Sequence, residues 1–412
     1  MFVIDWLLAD NHYMSLLGII VILGTAMLFS SNRRAIKIKL IGSALLVQFL
    51  MAFFILKTSV GGMVFSNISH GIERVYQFAN DGCSFVFGSL ANPAGPWGFV
   101  FAFKVLPIII FFGALMALLF HLGVVQIIVR GMAFVIRPIF GTSGAETLSV
   151  AANSVLGQTE APLLIKNYLP RMTDSEITTV MVSGMAHLSG AILAVYGLMG
   201  VPILHLLSAS IMAIPGAILI AKLLTPETET PETMGGSHVE IPRQTKNVLD
   251  AISSGTGDGL SLALNVAAML IAFISIMSLI NAIVVGVTSF IGFPGWSLNV
   301  IFAKLFYVVA YLIGIAPGEC EAAGTLLGQK LVINEFVAYS SMVSMSMSTR
   351  AVAILTYALA GFSNFSCIGI QIGGIGAICP SKRETLTRLG MKALLGGTLA
   401  NLLNAAIASL FV

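Results

Sequence analysis

The chain is short of charge. Of its 412 residues only 9% are Asp, Glu, Lys or Arg, against roughly a quarter in an ordinary soluble domain. Hydrophobic residues make up 57%, and the mean hydropathy is +0.96. A water-soluble protein of this length has no interior large enough to hide that surface. Cysteine is also scarce: Cys83, Cys320, Cys367 and Cys379 form no CxxC pair, which argues against a zinc site and a disulfide framework. No GxxxxGK[ST] run and no HExxH run occurs, so the chain carries neither an ATP-binding P-loop nor a zinc-protease helix. No tandem repeat of 20–50 residues is present. GTGD at 255–258 has the GxGD pattern of intramembrane aspartyl proteases, but there is no Tyr-Asp pair and no other mid-span aspartate. An intramembrane hydrolase therefore stays a remote alternative, and the chain is read as a non-enzyme. The N-terminal MFVIDWLLADNHY carries Asp5 and Asp10 and no basic region; it is read as a short outer arm over residues 1–13, not as a signal peptide. A net charge of +3 gives no reason to expect a nucleic-acid partner.

What is present is long apolar runs. Those near 15–31, 40–57, 99–121, 177–199, 201–222, 260–288, 351–372 and 391–411 are each long enough to cross a bilayer as a helix. Near-continuous runs of this length exclude a β-barrel, whose strands alternate over short segments. Two further stretches, 142–170 and 292–338, are apolar but interrupted by Gly, Pro and polar residues; they read as re-entrant hairpins. Basic residues support the layout. Fifteen of the 21 Lys and Arg fall in four groups, 33–39, 130–171, 222–246 and 382–392, and all four lie inside if both termini are outside. The expected fold is thus an all-α polytopic membrane protein with eight transmembrane helices and two re-entrant hairpins. TPETETPETMGGSHVEIPRQTKN (225–247) is a linker, and residues 58–98 read as an interfacial helix plus loop.

The interruptions are polar in a pointed way. The first hairpin carries GQTEAP (157–162) and is followed by a span holding GMAHLSG (184–190). The second carries APGECEAAG (316–324) and is followed by a span holding GFSNFSCIG (361–369). Two interrupted segments in matching places, entering from opposite faces, point to a transporter built from inverted repeats. A carboxylate at the bilayer centre costs about 2.5–3.5 kcal/mol on insertion scales, so Glu160 and Glu319 call for a reason. Pro162 reads as the first turn of a half-helix, with Thr159 and Glu160 capping it; Pro317 and Gly318 break the chain before Glu319. Gln158, Thr159 and Glu160 together offer donors and acceptors to a neutral polar ligand. Asn364 sits mid-span with a hairpin carboxylate as its expected counterpart, although a buried Asn is often only a helix–helix hydrogen-bonding residue. For Phe362 ordinary core packing is the simpler reading.

GQTEAP, then GQK (328–330) with NEFVAY (334–339), then GFSNFSCIG resemble the concentrative nucleoside transporter family, in order along the chain from about Met14 onward. The resemblance implies a bacterial inner-membrane, multi-pass homotrimer that imports nucleosides by alternating access, driven by Na⁺ or H⁺, with no organic cofactor. It implies a scaffold of spans one to three (within 1–140) and span six (248–291), and a transport domain made of 141–247 and 292–412. By the same resemblance Gln158, Thr159 and Glu160 read the base, Glu319 and Asn364 hold the ribose hydroxyls, Phe362 lies beside the base and Ile192 gives a small apolar contact. Cys367 stands where the family has Ser, a thiol being the weaker donor. Asn153, Leu156, His187 and Leu188 fall on the coupling-cation site. His187 replaces a hydroxyl residue there, which points to a proton in place of sodium, since imidazole titrates near neutrality. A carrier of a nucleobase or a sugar remains the alternative within transport; a non-transporting scaffold or receptor would not need carboxylates in helix breaks.

Overall fold

The computed structural model describes residues 11–92, 95–98, 100–234 and 245–412. Residues 1–10 of the expected outer arm and 235–244 of the expected linker lie outside the described residues. Among the described residues every regular element is helical: α1 (His12–Leu28), α2 (Ile38–Lys57), α3 (Ser59–Phe87), α4 (Leu106–His121), α5 (Val124–Phe140), α6 (Gly144–Asn153), α7 (Asp174–Ala186), α8 (Gly190–Leu198), α9 (Ile203–Leu224), α10 (Val248–Phe290), α11 (Leu298–Leu312), α12 (Cys320–Val332), α13 (Glu335–Ser344), α14 (Thr349–Leu359), α15 (Phe365–Ile378) and α16 (Arg383–Ala408). A four-residue helical turn, Phe101–Lys104, and short 3₁₀ turns join several of them.

Six stretches among the described residues are long and apolar enough to cross a membrane: 38–57, 101–121, 174–198, 203–224, 248–290 and 380–408. Of the other two apolar runs, the first forms the 17-residue α1 and the second is cut into α14 and α15. Residues 58–98 hold one long helix, α3, of 29 residues. Its apolar residues gather on one side, where Tyr76, Ala79 and Cys83 pack with Ile108 and Phe112 of α4, as an amphipathic helix requires.

The helices sort into two environments. None of the most apolar window of α10 is buried, against 89% of that of the 174–198 stretch and 78% of that of α9. The outward-facing helices meet through glycine. Gly255 and Gly259 of α10, four residues apart, lie against Gly113 of α4, where an added Cβ would fall 2.6 Å from Gly255 O and 2.8 Å from Gly259 Cα. Small residues at that spacing let two backbones touch in lipid, so the GTGD stretch is a helix-packing seam.

Polar starts fix the inner helices. Ser143 and Glu146 form a capping box on α6, and Thr173 and Glu176 form another on α7; each satisfies backbone donors that a helix start leaves free. The two boxes are joined, because the Ser143 hydroxyl donates to Glu176. Lys222, near the end of α9, closes the cluster with Nζ 2.6 Å from Glu146 Oε2 and 2.9 Å from Ser175 Oγ.

Candidate substrate and cation site

Three interruptions converge on one region. After α6 the chain leaves the helix over 154–160, and the expected second α-half-helix of this hairpin does not form. Pro162 and Pro170 each lack an amide proton, and the segment runs instead as 3₁₀ turns, Ala161–Ile165 and Leu169–Arg171. Glu160 occupies the position before the first turn, but its side chain does not cap it; Oε2 accepts from the Gly157 amide at 3.1 Å. Thr159 is exposed and packs on Gly374 of α15, where a Cβ would come 2.8 Å from Thr159 Cγ2. The glycine-rich IGGIG run (372–376) is therefore the surface on which the hairpin tip rests.

The next span stops after Ala186 and restarts at Gly190. Its break meets that of the hairpin directly, since the Gly190 amide donates to the Val155 carbonyl at 3.0 Å. Asn153 and His187 flank the junction, both 1% exposed. The Asn153 amide donates to Ser149 O (3.1 Å) and Ser183 Oγ (3.2 Å), which leaves its Oδ1 buried without a partner. His187 Nδ1 lies 2.8 Å from the Ser183 carbonyl. A carbonyl only accepts, so Nδ1 carries the proton and the neutral ring has its lone pair on Nε2. Nε2 is also buried without a partner. Leu156 and Leu188, both buried, lie in the two breaks, and among the described residues no donor reaches either carbonyl. Asn153 Oδ1 and these two carbonyls are hard oxygen acceptors of the kind an alkali cation takes. No cluster of three His, Cys, Asp or Glu side chains suited to a metal occurs among the described residues.

The third interruption, 360–364 between α14 and α15, is the most heavily bonded. Asn364 is the N-cap of α15: its Oδ1 accepts from the Cys367 amide (3.0 Å) and Ser366 Oγ (2.6 Å). Its Nδ2 donates to Glu335 Oε2 at 3.2 Å, and Tyr196 OH donates to Glu335 Oε1 at 2.8 Å. Gln158, at the hairpin tip, donates from Nε2 to Cys367 Sγ (3.4 Å) and accepts on Oε1 from Gln371 Nε2 (3.1 Å); Gln371 also donates to Met181 O (3.0 Å). Phe362 is half-buried in the break. Ile192 is buried on α8, four residues before Tyr196 and thus on the same face.

The structure does not bring Glu319 and Asn364 together. The Glu319 side chain is exposed and grips the start of α14, with Oε1 2.6 Å from Ser348 N and Oε2 2.7 Å from Ser348 Oγ. A carboxylate spent on a helix N-terminus is well placed electrostatically, and no hydrogen bond ties it to Asn364. The carboxylate that Asn364 does hold is Glu335, 6% exposed and at the first turn of α13. Tyr196 and Gln371 are further members that the sequence reading missed. The signal for Glu335 was within NEFVAY itself: an acid between Asn334, which caps α13, and Phe336 and Tyr339, both buried.

The result is a polar cluster with a carboxylate, three amides and a thiol around Asn364, joined through the hairpin to acceptors without partners around Asn153 and His187. Such a set can hold a neutral, polar molecule and a small cation close together.

Comparison with known proteins agrees. Residues 205–409 match the family described as Na⁺ dependent nucleoside transporter C-terminus, residues 17–90 its N-terminus, and residues 102–202 a gate family described as nucleoside recognition. A nucleoside permease of Helicobacter pylori is 39% identical, covering 97% of each chain. The chain belongs to the concentrative nucleoside transporter family. It is a multi-pass membrane transporter and not an enzyme. An uncharacterized transporter of Haemophilus influenzae is 43% identical over 97% of both chains, and sodium/nucleoside cotransporter 1 of Rattus norvegicus is 35% identical over 98% of this chain and 65% of its own. The structure of CNTnw in an inward-facing substrate-bound state superposes with a TM-score of 0.92 at 40% identity, covering 97% of this chain and 98% of that one.

Proposed function

We propose that the protein imports nucleosides across a bacterial inner membrane, drawing each one in with a cation. The observation that carries this reading is the buried Glu335–Asn364 pair at the start of α15, facing the hairpin residue Gln158 through Cys367. A nucleoside is neutral, with vicinal hydroxyls at one end and a hydrogen-bonding base edge at the other. The Glu335 carboxylate accepts hydroxyl protons in charge-assisted bonds, the strong kind. Asn364 positions that carboxylate and adds its own polar atoms. Gln158, Thr159 and Glu160 take the base edge, with Phe362 and Ile192 as apolar walls.

The chain crosses the bilayer eight times, and 142–170 and 292–338 enter and leave on one side each. Residues 141–247 and 292–412 form a moving unit against a scaffold of 1–140 and 248–291, repeated three times in a homotrimer. Alternating access follows from the moving unit carrying the site past the scaffold.

The coupling cation is a proton. His187 donates its Nδ1 proton to the Ser183 carbonyl, so Nε2, buried without a partner, is free to take a second proton. Protonation turns that acceptor into a donor. Sodium would use the Asn153, Leu156 and Leu188 oxygens, but an imidazole in place of a hydroxyl removes an oxygen ligand. Each cation moved inward contributes about 2.3 kcal/mol per 100 mV of membrane potential.

The test is uptake of labelled uridine into reconstituted vesicles under a pH gradient or a Na⁺ gradient. Accumulation driven by the pH gradient alone is the expected result. Accumulation that needs Na⁺ and ignores a protonophore defeats the proton assignment, and failure under both gradients defeats transport of nucleosides. Competition by free uracil as strong as by uridine would instead favour a nucleobase carrier, because Glu335 would then have no ribose to hold.

A further inference from the structure

Asn401 of α16 is fully buried and belongs to neither interrupted span, yet its side chain holds both. Its Nδ2 donates to Ala186 O and to Ala360 O, each at 2.8 Å. Its Oδ1 accepts from Lys330 Nζ at 2.8 Å and from Ser363 Oγ at 3.1 Å. Two N–H groups and two lone pairs are thus all used, which is the full capacity of an amide. The orientation is dictated by the partners, since a flipped amide would set its oxygen against two carbonyls and its N–H groups against an ammonium.

The two carbonyls are chemically equivalent. Ala186 is the last residue of α7, next to His187, and Ala360 ends the first half of the other interrupted span, two residues before Phe362. A helix end leaves such carbonyls without intrahelical donors. One amide satisfies one from each break. The surroundings are built to allow it. A Cβ on Gly361 would fall 2.5 Å from Asn401 Oδ1 and 2.8 Å from Met185 O; one turn earlier on α16, a Cβ on Gly397 would fall 2.6 Å from Met185 Cβ and 3.2 Å from Ser363 Cβ. Glycine at both positions therefore lets α16 and the two breaks approach closely at the joint. Lys330, 3% exposed, adds a second donation to Ala358 O at 2.7 Å and ties in α12.

We infer that Asn401 is the positioning residue that couples the cation break (187–189) to the nucleoside break (360–364), making the affinity of each ligand depend on the other. The inference rests on the symport reading above. Movement of the Ala186 carbonyl when a cation binds beside His187 must either drag Asn401, and with it Ala360, or strand a buried polar group. Coupling of this kind is reciprocal between the two sites.

The experiment measures uridine binding to the purified full-length protein with and without the coupling cation, across a pH series and a Na⁺ series. Wild type should bind uridine at least about fivefold tighter with the cation, in the usual range of coupling between sites. Asn401→Asp keeps acceptors for Lys330 and Ser363 and loses both donations to the carbonyls; its ratio should fall to near one, even where uridine still binds. Asn401→Ser, which can reach at most one carbonyl, gives the same reading if the aspartate variant does not fold. A merely structural role would weaken binding equally with and without the cation, and a preserved ratio in the variants overturns the inference. Wild-type uridine binding that ignores both pH and Na⁺ removes the symport reading, and the inference with it.

Discussion

The break at 187–189 and the break at 360–364 occupy matching places in the chain, each following an interrupted hairpin, yet they are partnered in opposite ways. Around the first, Asn153 Oδ1 and His187 Nε2 are buried with no protein partner. Around the second, Asn364 uses its carbonyl twice and its amide once, and Glu335 has a donor on each oxygen. The first is a set of acceptors of the kind a positive charge satisfies. The second is a carboxylate whose position is already fixed by its donors, which lowers the ordering cost of binding at it. The hairpins differ in the same sense: the tip of the first lies against α15 through Gln158 and Thr159, while Glu319 in the second is used up on Ser348.

That contrast can be broken from either side. The largest effect is expected from Glu335→Gln, which leaves one oxygen to serve both Tyr196 and Asn364. Losing a charged acceptor at a buried bond lowers kcat/KM for uridine by about 10- to 100-fold in vesicle uptake; unchanged uptake would remove Glu335 from the site. His187→Ser comes next. Uptake by the wild type should fall as the outside pH is raised, because protons become scarcer for Nε2. The serine variant should lose that dependence and respond to Na⁺; a pH profile identical to the wild type's would clear His187 of the coupling role. Gly397→Ala sharpens the comparison at the joint. Its methyl group meets Met185 Cβ at 2.6 Å, and overpacking of this kind costs about 1–3 kcal/mol, read as a lower thermal midpoint in detergent. The smallest effect belongs to Glu319→Gln. It weakens an exposed grip on a helix start, worth about 0.5–2 kcal/mol to local stability, and uridine KM should stay near that of the wild type. A collapse of uptake would restore Glu319 to the site.

Much of this was legible in the residues. Long apolar runs with little charge admit one class of fold, and GQTEAP announces an interruption because Gly and Pro bracket three polar side chains. GMAHLSG and GFSNFSCIG stand out as polar, but the spans that hold them, 177–199 and 351–372, read as unbroken helices, and their breaks came only with the structure. What could not be read is who meets whom. Glu335 and Asn364 are 29 residues apart, Tyr196 and Glu335 139, Gln158 and Gln371 213, and no periodicity carries such separations. Glu319 resembled Glu160 in setting, since each lies close to a glycine and a proline that break the helix, so local pattern favoured it. The capacity of Asn401 to hold four partners is likewise invisible in TLANLLN, where it looks like one more polar residue on a helix.

The length of α10 bears on how the protein sits in its surroundings. Its 43 residues, at about 1.5 Å each, span about 65 Å, some twice the roughly 30 Å of hydrocarbon in a bilayer. Its apolar part, 260–288, is still about 43 Å long, and an apolar run longer than the hydrocarbon slab is accommodated by tilting, kinking or local thickening of the bilayer. Through Gly255 and Gly259 it takes α4 with it, backbone against backbone. Thicker membranes would stand this pair more upright and thinner ones would lay it flatter, so lipid chain length acts on the protein as a mechanical input.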